Sequence, residues 1–402
     1  IMHCITSYWG KQGPARDRFY AFDKKSGDIV WVSEPGIAPK DSSFSTPIVE
    51  TRYGTRVFYA GTGDGNLVFV NALNGKPLWR FHMSYGGVNS SPVIYKNTVI
   101  CPHGKENIDT TEEGRMVSVK LPAKVDFTAP QAVLPAKAEV WRNTTVSFTS
   151  SPVIVGDRVY QVSKVGELLC INAETGEVLW HEKLGNDNLH ASPLFCDGKL
   201  YVPIFSGKFY VIEPSDKGAK ILHTLEFDGN LIGSPAICDG RLYLHSTKKL
   251  YCWEFQQDKI TGPAWPLGYF ADAGEVTEIR PIPSDVLLQP GSKQKFKFQM
   301  LDSAGYVAGE STGGKFSKFI PPTAKVKTEM DASFKDGVIS ASADAKASAG
   351  AWKGGDGKVS GIFRGRVLAT VPFSENFDSY NKNQAMNTAL TVLQKLNTVR
   401  PI

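Results

Sequence analysis

The sequence predicts an all-β protein, a β-propeller of four-stranded blades followed by a C-terminal β-sandwich. The first observation is a dipeptide, Ser-Pro or Thr-Pro, that five times opens an apolar run rich in β-branched residues. Its prolines are Pro47, Pro92, Pro152, Pro193 and Pro235. They recur every 41 to 45 residues, apart from one interval of 60 residues. A period near 40 with several short strands in each repeat is typical of a β-propeller.

The second observation is a hairpin motif that occurs at residues 21–31, 69–79 and 170–180. In each copy an Asp or Asn stands four residues before a Gly, and the Gly stands four residues before a Trp. The three sets are Asp23, Gly27 and Trp31; Asn71, Gly75 and Trp79; and Asn172, Gly176 and Trp180. We interpret each copy as a strand, a tight turn in which Gly adopts a positive φ, and a second strand whose Trp packs between blades.

Taken in order, the two motifs divide the first two thirds of the chain into six predicted blades. They cover residues 1–34, 45–81, 90–143, 150–182, 191–227 and 233–255. The first lacks a Ser-Pro strand, the fifth lacks the Trp, and the third is enlarged by a Pro- and Ala-rich insertion, a candidate surface feature. Because the sequence begins in mid-strand, we expect it to be part of a longer or processed chain whose ring has six to eight blades.

These repeats resemble the quinoprotein-like (PQQ-like) β-propeller repeat family. Its tryptophan docking motif is matched by residues 172–180, 23–31 and 71–79, and the resemblance covers about residues 1–270. The family includes quinone-dependent alcohol dehydrogenases and a lipoprotein scaffold of outer-membrane assembly. The resemblance therefore implies the propeller fold and a location in the periplasm, on the cell surface or outside the cell. Function has to be argued from the site, because one fold carries many functions.

A different pattern begins at residue 275. Residues 275–372 alternate apolar and polar residues around a Pro-Gly turn and an Asp-x-x-Gly hairpin, and they resemble a bacterial immunoglobulin-like domain. Residues 373–402 place apolar residues at helical spacing, which predicts a tail with one short helix. This tail also resembles the start of a further, truncated domain.

Charge and cysteine content argue against several classes of protein. The formal net charge is +5, and the whole excess lies from residue 275 onward, scattered along the sequence. Nucleic-acid binding needs a concentrated basic stripe, so we do not expect it. No apolar run reaches the roughly 18 residues that a transmembrane segment needs. The six cysteines form no CxxC motif and no adjacent pair. Four of them stand in apolar strands, so we expect buried, reduced thiols.

A quinone-dependent dehydrogenase is the enzyme that the resemblance suggests. In that family the quinone lies over the propeller axis, often against a disulfide between adjacent cysteines, with Ca²⁺ held by Glu, Asn and Asp. This sequence has no adjacent cysteine pair, no haem motif and no obvious acidic triplet before the innermost strands. We therefore predict no catalytic residue, no metal site and no cofactor. Pyrroloquinoline quinone (PQQ) and Ca²⁺ belong only to the alternative in which the site residues lie upstream.

The natural pocket of a propeller is the funnel along its axis, where loops precede the innermost strands. The predicted funnel residues are Phe44, Asn89, Phe148, His190 and Leu231. In a ligand site, His190 and Asn89 would fix a polar group, and Phe44 and Phe148 would stack on it. The alternative, which we favour, is that these side chains simply plug the funnel.

The sequence repeats one structural unit and shows no set of residues arranged for catalysis. These observations favour a non-catalytic scaffold whose propeller binds protein partners outside the cytoplasm. Two alternatives stay open. One is the quinone-dependent dehydrogenase, acting on alcohols or sugars. The other is a cell-surface protein that binds glycans through the enlarged blade or the tail.

Overall fold

The computed structural model describes residues 1–4, 17–186, 190–254, 271–322 and 327–369. Within these ranges the regular structure is almost entirely β, with 33 strands and one 3₁₀ turn at Ala136–Ala138. No helix in them is long and apolar enough to cross a lipid bilayer. The predicted helix of the tail, residues 373–402, lies outside the described residues.

Six sheets form the six predicted blades, so the fold is a β-propeller. Blade 1 contains β1 (Met2–Cys4), β2 (Arg18–Phe22) and β3 (Ile29–Ser33); blade 2 contains β4 (Ile48–Arg52), β5 (Thr55–Gly61), β6 (Asn66–Asn71) and β7 (Pro77–His82). Blade 3 contains β8 (Val93–Tyr95), β9 (Thr98–Glu106) and β10 (Glu113–Lys120); after a short β11 (Ala132–Val133), β12 (Glu139–Asn143) completes it. The strands that follow the Ser-Pro or Thr-Pro dipeptides are the first strands of blades 2 and 3.

The next three blades repeat this order. Blade 4 contains β13 (Val153–Val155), β14 (Arg158–Val162), β15 (Glu167–Asn172) and β16 (Val178–Lys183). Blade 5 contains β17 (Leu194–Cys196), β18 (Lys199–Pro203), β19 (Lys208–Ser215) and β20 (Gly218–Glu226); blade 6 contains β21 (Ala236–Cys238), β22 (Arg241–His245) and β23 (Leu250–Glu254). First strands of neighbouring blades contact each other, β8 with β13 and β13 with β17. These strands therefore lie nearest the axis, and each sheet extends outward from it.

The hairpin motif forms the turn between the third and fourth strands. In blade 4 the N–H of Gly176 donates to Asn172 O (2.8 Å), and the Asn172 Oδ1 atom accepts from the N–H of Glu174 (2.9 Å). Gly176 has a φ of +77°, and the equivalent Gly27 and Gly75 have +77° and +76°. A residue with a Cβ atom is strained at such a φ, so the turn favours glycine.

The docking tryptophans pack on the glycine turn of the following blade. A Cβ atom on Gly75 would lie 2.6 Å from the Trp31 ring, and one on Gly176 would lie 2.4 Å from the Trp141 ring. The Trp141 Nε1–H also donates to Ala173 O (3.0 Å). Trp141 was not among the predicted docking residues, because the insertion separates it from the motif. Its position at the end of blade 3, before the next Ser-Pro dipeptide, is the signal that would have identified it.

Trp79 and Trp180 also contact the next blade, but neither packs on a glycine of that blade. The half-buried Trp180 donates from Nε1 to Ser215 O (2.8 Å) in the turn of blade 5. Trp79 stacks on Phe69 with ring centroids 4.2 Å apart, in an apolar cluster that includes Leu121. Leu121 opens the insertion, which replaces the glycine turn in blade 3.

A ladder of hydrogen bonds runs from blade to blade through the residues that precede the prolines. Each rung joins the backbone N–H of one blade to the side-chain hydroxyl of the next. The rungs are Thr46 N–H to Ser91 Oγ (2.8 Å), Ser91 N–H to Ser151 Oγ (2.8 Å), Ser151 N–H to Ser192 Oγ (2.8 Å) and Ser192 N–H to Ser234 Oγ (2.9 Å). Because a residue before proline is held extended, its N–H is aimed across the blade boundary. The ladder explains why a hydroxyl residue recurs before each proline.

We predict that Ser151→Ala lowers the free energy of unfolding by about 1 kcal/mol, because it leaves the N–H of Ser91 without its acceptor. Urea denaturation followed by tryptophan fluorescence measures the change. Ser333→Ala, at an exposed position outside the propeller, is the matched control and should have no effect. Equal stability of the two variants would show that the ladder contributes nothing.

The insertion of the third blade covers the outer edge of blade 2. β11 pairs in parallel with β7, which gives blade 2 a fifth strand. The Gln131 Nε2 group donates to Pro35 O (2.7 Å), and Lys76 Nζ donates to Phe127 O. The predicted surface feature is therefore a segment packed on the propeller. It hides an edge strand that would otherwise expose unpaired backbone groups.

The C-terminal part forms three further sheets. Its strands are β24 (Val276–Ile282), β25 (Asp285–Leu288), β26 (Lys293–Lys295), β27 (Lys297–Asp302), β28 (Val307–Glu310), β29 (Lys315–Phe319), β30 (Ser333–Lys335), β31 (Val338–Ser340), β32 (Ser348–Gly355) and β33 (Ser360–Val367). The strand orders are β24-β27-β28, β25-β33-β32-β29 and β26-β31-β30. These sheets share an apolar core that contains Phe298, Trp352 and Phe363. The immunoglobulin-like assignment stays a prediction.

This C-terminal β-domain contacts the outer ends of blades 1 and 2. The Ala304 carbonyl, in the hairpin between β27 and β28, accepts from Asn71 Nδ2 (2.7 Å) and Thr55 Oγ1 (3.2 Å). Arg280 donates from Nη1 to Leu73 O (2.6 Å). The Asn of the repeated hairpin motif thus has an additional role in blade 2, where its amide binds the second domain.

Of the four cysteines expected to be buried in apolar strands, Cys170 is buried and Cys196 is partly buried, whereas Cys238 and Cys252 are exposed, so the expectation is wrong for the last two. In blade 4, Cys170 pairs with Tyr160, and blade 5 covers both. In blade 6 the equivalent pair includes Cys252, on a face that no other described blade covers. Leu250 on β23 is accordingly 68% exposed.

Candidate partner-binding face

The hydroxyl ladder defines five equivalent positions at the mouth of the funnel, each three residues before its proline. They are Phe44, Asn89, Thr149, His190 and Ile232. Phe44, Asn89 and His190 belong to the predicted funnel set. The other two predicted funnel residues, Phe148 and Leu231, each stand one residue before the equivalent position of their blade, because the prediction placed them only on the loops before the innermost strands.

Leu231 does not face the funnel. It is fully buried and packs with Tyr201, Phe209 and Leu242 between blades 5 and 6. Its neighbour Ile232, which is 39% exposed, occupies the equivalent position at the mouth. The prediction that Leu231 contacts a ligand is therefore wrong, since its side chain is part of the core.

The other mouth residues are brought together in two groups. The N–H of Phe44 donates to Asn89 Oδ1 (3.2 Å), which joins blades 2 and 3. Thr149 Oγ1 and His190 Nδ1 lie 3.0 Å apart, which joins blades 4 and 5. The half-buried Phe148 lies beside this second group, with its ring centroid 6.1 Å from that of His190.

These side chains do not fit a quinone held over Ca²⁺. The five equivalent positions carry an aromatic ring, an amide, a hydroxyl, an imidazole and an aliphatic group, without a carboxylate. Ca²⁺ takes six to eight oxygen ligands, several of them charged. Across residues 1–4, 17–186, 190–254, 271–322 and 327–369, no group of three or more His, Cys, Asp or Glu side chains is placed to hold a metal ion.

The funnel mouth belongs to a larger surface, which we call the loop face. The first three strands of each of blades 2 to 6 are antiparallel, so the loop that enters the first strand lies at the same end as the loop that joins the second and third strands. Six large apolar side chains on these loops are 38% to 57% exposed. They are Ile37, Phe44, Tyr85, Ile108, Val165 and Ile232. These exposed apolar side chains at one end of the propeller are candidate contacts for a partner.

Two lysines make cation–π contacts with aromatic rings on the loop face. Lys40 Nζ lies 4.7 Å from the centroid of the Tyr85 ring, and Lys105 Nζ lies 5.5 Å from that of Phe148. Lys105 Nζ is also 2.6 Å from the Asp41 carboxylate. Cation–π contacts and the ion pair restrict these side chains before any partner binds, which lowers the entropic cost of binding.

The loop between blades 1 and 2 is held by buried polar groups. The carboxylate of the buried Asp64 accepts from the N–H of Ile37 (2.5 Å) and from the hydroxyl of Thr62 (2.5 Å). The N–H of Lys40 donates to Gly63 O (2.9 Å). Exposed Ile37 and Lys40 are therefore presented by a loop of fixed conformation.

A family model described as outer membrane protein assembly factor BamB matches residues 11–126 and 128–216, about half of the chain. No curated protein matches the sequence. Among solved structures, the chain is similar to BamB from Moraxella catarrhalis, with 16% sequence identity and a TM-score of 0.45. That similarity covers 59% of this chain and 67% of the BamB chain.

Proposed function

Because the chain belongs to the family of the outer membrane protein assembly factor BamB, we propose that it is a non-catalytic scaffold that binds partner proteins outside the cytoplasm, during assembly of outer membrane proteins. The family description supports a role in outer membrane protein assembly. The loop face supports binding of partner proteins as the way in which the chain acts. The scaffold needs no cofactor, since its work is binding.

The observation that carries this proposal is the exposure of six large apolar side chains on one face of the propeller. Phe44 is 57% exposed and Tyr85 is 49% exposed, although both stand on loops held by the described contacts. Aromatic anchors surrounded by polar groups dominate the binding energy of protein interfaces. Lys40 and Lys105 beside the rings favour a partner segment that combines apolar and acidic residues.

Photo-crosslinking in the native host tests the loop face. A photoreactive phenylalanine analogue at position 44 or 85 is expected to crosslink to proteins of outer membrane assembly, identified by mass spectrometry. The analogue at Val178, which is 39% exposed on a fourth strand of the propeller, is the control and should give none of these products. Equal crosslinking at all three positions would contradict the proposal.

We expect the double change Phe44→Ser with Tyr85→Ser to weaken the crosslinked complex at least about tenfold, measured as crosslink yield from position 232. Truncating each interface anchor costs on the order of 2 kcal/mol of binding free energy. The variant should unfold at the same temperature as the parent chain, because both side chains are exposed. An unchanged yield would place the partner elsewhere.

The quinone alternative is tested by titrating the purified chain with PQQ and Ca²⁺ while following tryptophan fluorescence and dye reduction with alcohols and sugars. Saturable binding with turnover would replace the scaffold proposal with that of a dehydrogenase.

A further inference from the structure

We propose that the contact between the C-terminal β-domain and blades 1 and 2 is a pH-sensitive latch, which tightens as the pH falls. The latch consists of two carboxylates of the C-terminal β-domain, Asp285 and Glu278, that lie at this contact. It concerns how the two domains are held together, so it does not rest on the proposed function.

Asp285 begins β25, which lies beside β3 of blade 1. The N–H of the preceding Ser284 donates to Ile29 O on β3 (2.7 Å). The Asp285 side chain is 12% exposed. Among the described residues, neither Asp285 Oδ1 nor Ser284 Oγ has a hydrogen-bond partner, although both atoms are buried. A carboxylate that is removed from water without its hydrogen bonds is unfavourable, so this position favours the neutral carboxyl group.

Three arginines face Asp285, but none of them replaces the lost hydrogen bonds. Arg366 Nη1 lies 3.8 Å from Asp285 Oδ2, which is longer than a hydrogen bond. Arg364 is opposite Asp285 in the ladder of β25 and β33. Arg18, on β2 of blade 1, donates from Nε to Glu34 Oε1 (2.7 Å), so its charge is already paired.

The protonation equilibrium of Asp285 agrees with this geometry. Burial raises the pKa of Asp285 above its ordinary value, and the three arginines and the N–H of Val286 reduce the shift without cancelling it. Tyr20 of blade 1 also faces Asp285, and burial raises the pKa of this phenol above its ordinary value of about 10. Tyr20 is therefore neutral at every pH at which a carboxyl group titrates.

Glu278 supplies the second carboxylate, where β24 meets blade 2. It lies two residues before Arg280, so the two side chains point to the same side of the strand. Arg280 donates to Leu73 O of blade 2 (2.6 Å). Burial raises the pKa of Glu278 as well, and the charges of Arg280 and Lys76 oppose this shift.

The sign of the pH dependence follows from these two groups, because arginine and lysine stay protonated up to pH 8. A carboxyl group whose pKa is raised at the contact binds its proton more tightly in the docked state than in the released state. Protonation therefore stabilises docking at low pH, and this stabilisation is lost as the pH rises through the raised pKa.

The test is amide hydrogen exchange of the full chain at pH 4.5 and pH 8, resolved to single residues. The Ser284 N–H reports on the contact, because its acceptor belongs to blade 1. The Gly291 N–H, which donates to Ser342 O (2.8 Å) within the C-terminal β-domain, is the reference. After correction for the intrinsic pH dependence of exchange, we expect the protection of Ser284 relative to Gly291 to be greater at pH 4.5 than at pH 8.

The change Asp285→Asn removes the charge and keeps the size of the side chain. It should raise the protection of Ser284 at pH 8 at least about fivefold, because a buried group without its hydrogen bonds is no longer charged. At pH 4.5 the variant and the parent chain should agree. Adding Glu278→Gln should remove the remaining pH dependence. The matched control, Asp336→Asn, makes the same change at an exposed turn of the same domain and should alter neither value.

Equal protection of Ser284 at the two pH values in the parent chain would overturn the proposal. Lower protection at pH 8 in Asp285→Asn than in the parent chain would also overturn it. The attraction between Asp285 and the arginines would then outweigh the burial of its charge, and acidification would loosen the contact.

Discussion

Replacing Trp141 by alanine is expected to lower the free energy of unfolding by about 3–5 kcal/mol, the range observed when a buried tryptophan is truncated. Trp141 is buried between blades 3 and 4, in a cluster with Ile171 and Ala173. Its ring lies against Gly176, and its Nε1–H donates to Ala173 O. Urea denaturation, followed by far-UV circular dichroism because a fluorophore is removed, measures the loss.

A double-mutant cycle isolates the contact between blades. Gly176→Ala combines an unfavourable φ with a clash of 2.4 Å against the Trp141 ring. Gly27→Ala is the matched control, because Gly27 has the same φ of +77° and nothing within 4 Å of an added Cβ atom. We expect Gly176→Ala to be clearly more destabilising than Gly27→Ala in the parent chain. In the Trp141→Ala background the extra cost should disappear, since the clashing ring is gone.

If the cost of Gly176→Ala were the same with and without Trp141, the ring would not limit the space at Gly176. The packing of one blade on the glycine turn of the next would then be contradicted.

The second large effect is expected from Arg280→Ala, at the contact between the propeller and the C-terminal β-domain. Arg280 donates to Leu73 O across the contact (2.6 Å) and to Gln299 Oε1 within its own domain (2.6 Å). Burial lowers the pKa of Arg280 to about 10, and the neighbouring Glu278 opposes this shift, so the group is charged at neutral pH. Its removal leaves the Leu73 carbonyl without its donor and takes from the buried Glu278 carboxylate one of the two cations, Arg280 and Lys76, that act on it.

We expect a loss of about 3 kcal/mol, the order found when one partner of a buried charged contact is removed. Scanning calorimetry should also resolve two transitions in place of one, because the domains lose a contact that couples their unfolding. The control is Arg241→Ala, which removes an exposed ion pair with Glu254 on blade 6 and should leave the transition unchanged. A single transition at the same temperature in Arg280→Ala would show that the contact does not couple the domains.

Local sequence determined the strands and turns of the propeller. A glycine four residues before Trp31, Trp79 and Trp180 marks a turn with positive φ, and a proline after a hydroxyl residue marks a first strand. Both signals depend on backbone sterics over a few residues. They therefore predict local structure without any knowledge of which residues are neighbours in the fold. The C-terminal alternation of apolar and polar residues predicted strands for the same reason. The loops before the innermost strands are also local features, and three of the five residues predicted on them, Phe44, Asn89 and His190, stand at equivalent positions of their blades.

The tertiary structure alone decided which residues meet across blades and domains. Ser151 and Ser192 are 41 residues apart in the chain and hydrogen-bonded in the fold. Trp141 packs on a glycine of the next blade, and Asn71 binds a carbonyl 233 residues away. The insertion places β11 on blade 2 although β10 and β12 belong to blade 3. The sequence by itself therefore determined the repeated unit, because its φ angles and apolar alternation are local. The contacts of each repeated unit followed only from the tertiary structure, because each unit buries its apolar faces against units that are distant in sequence.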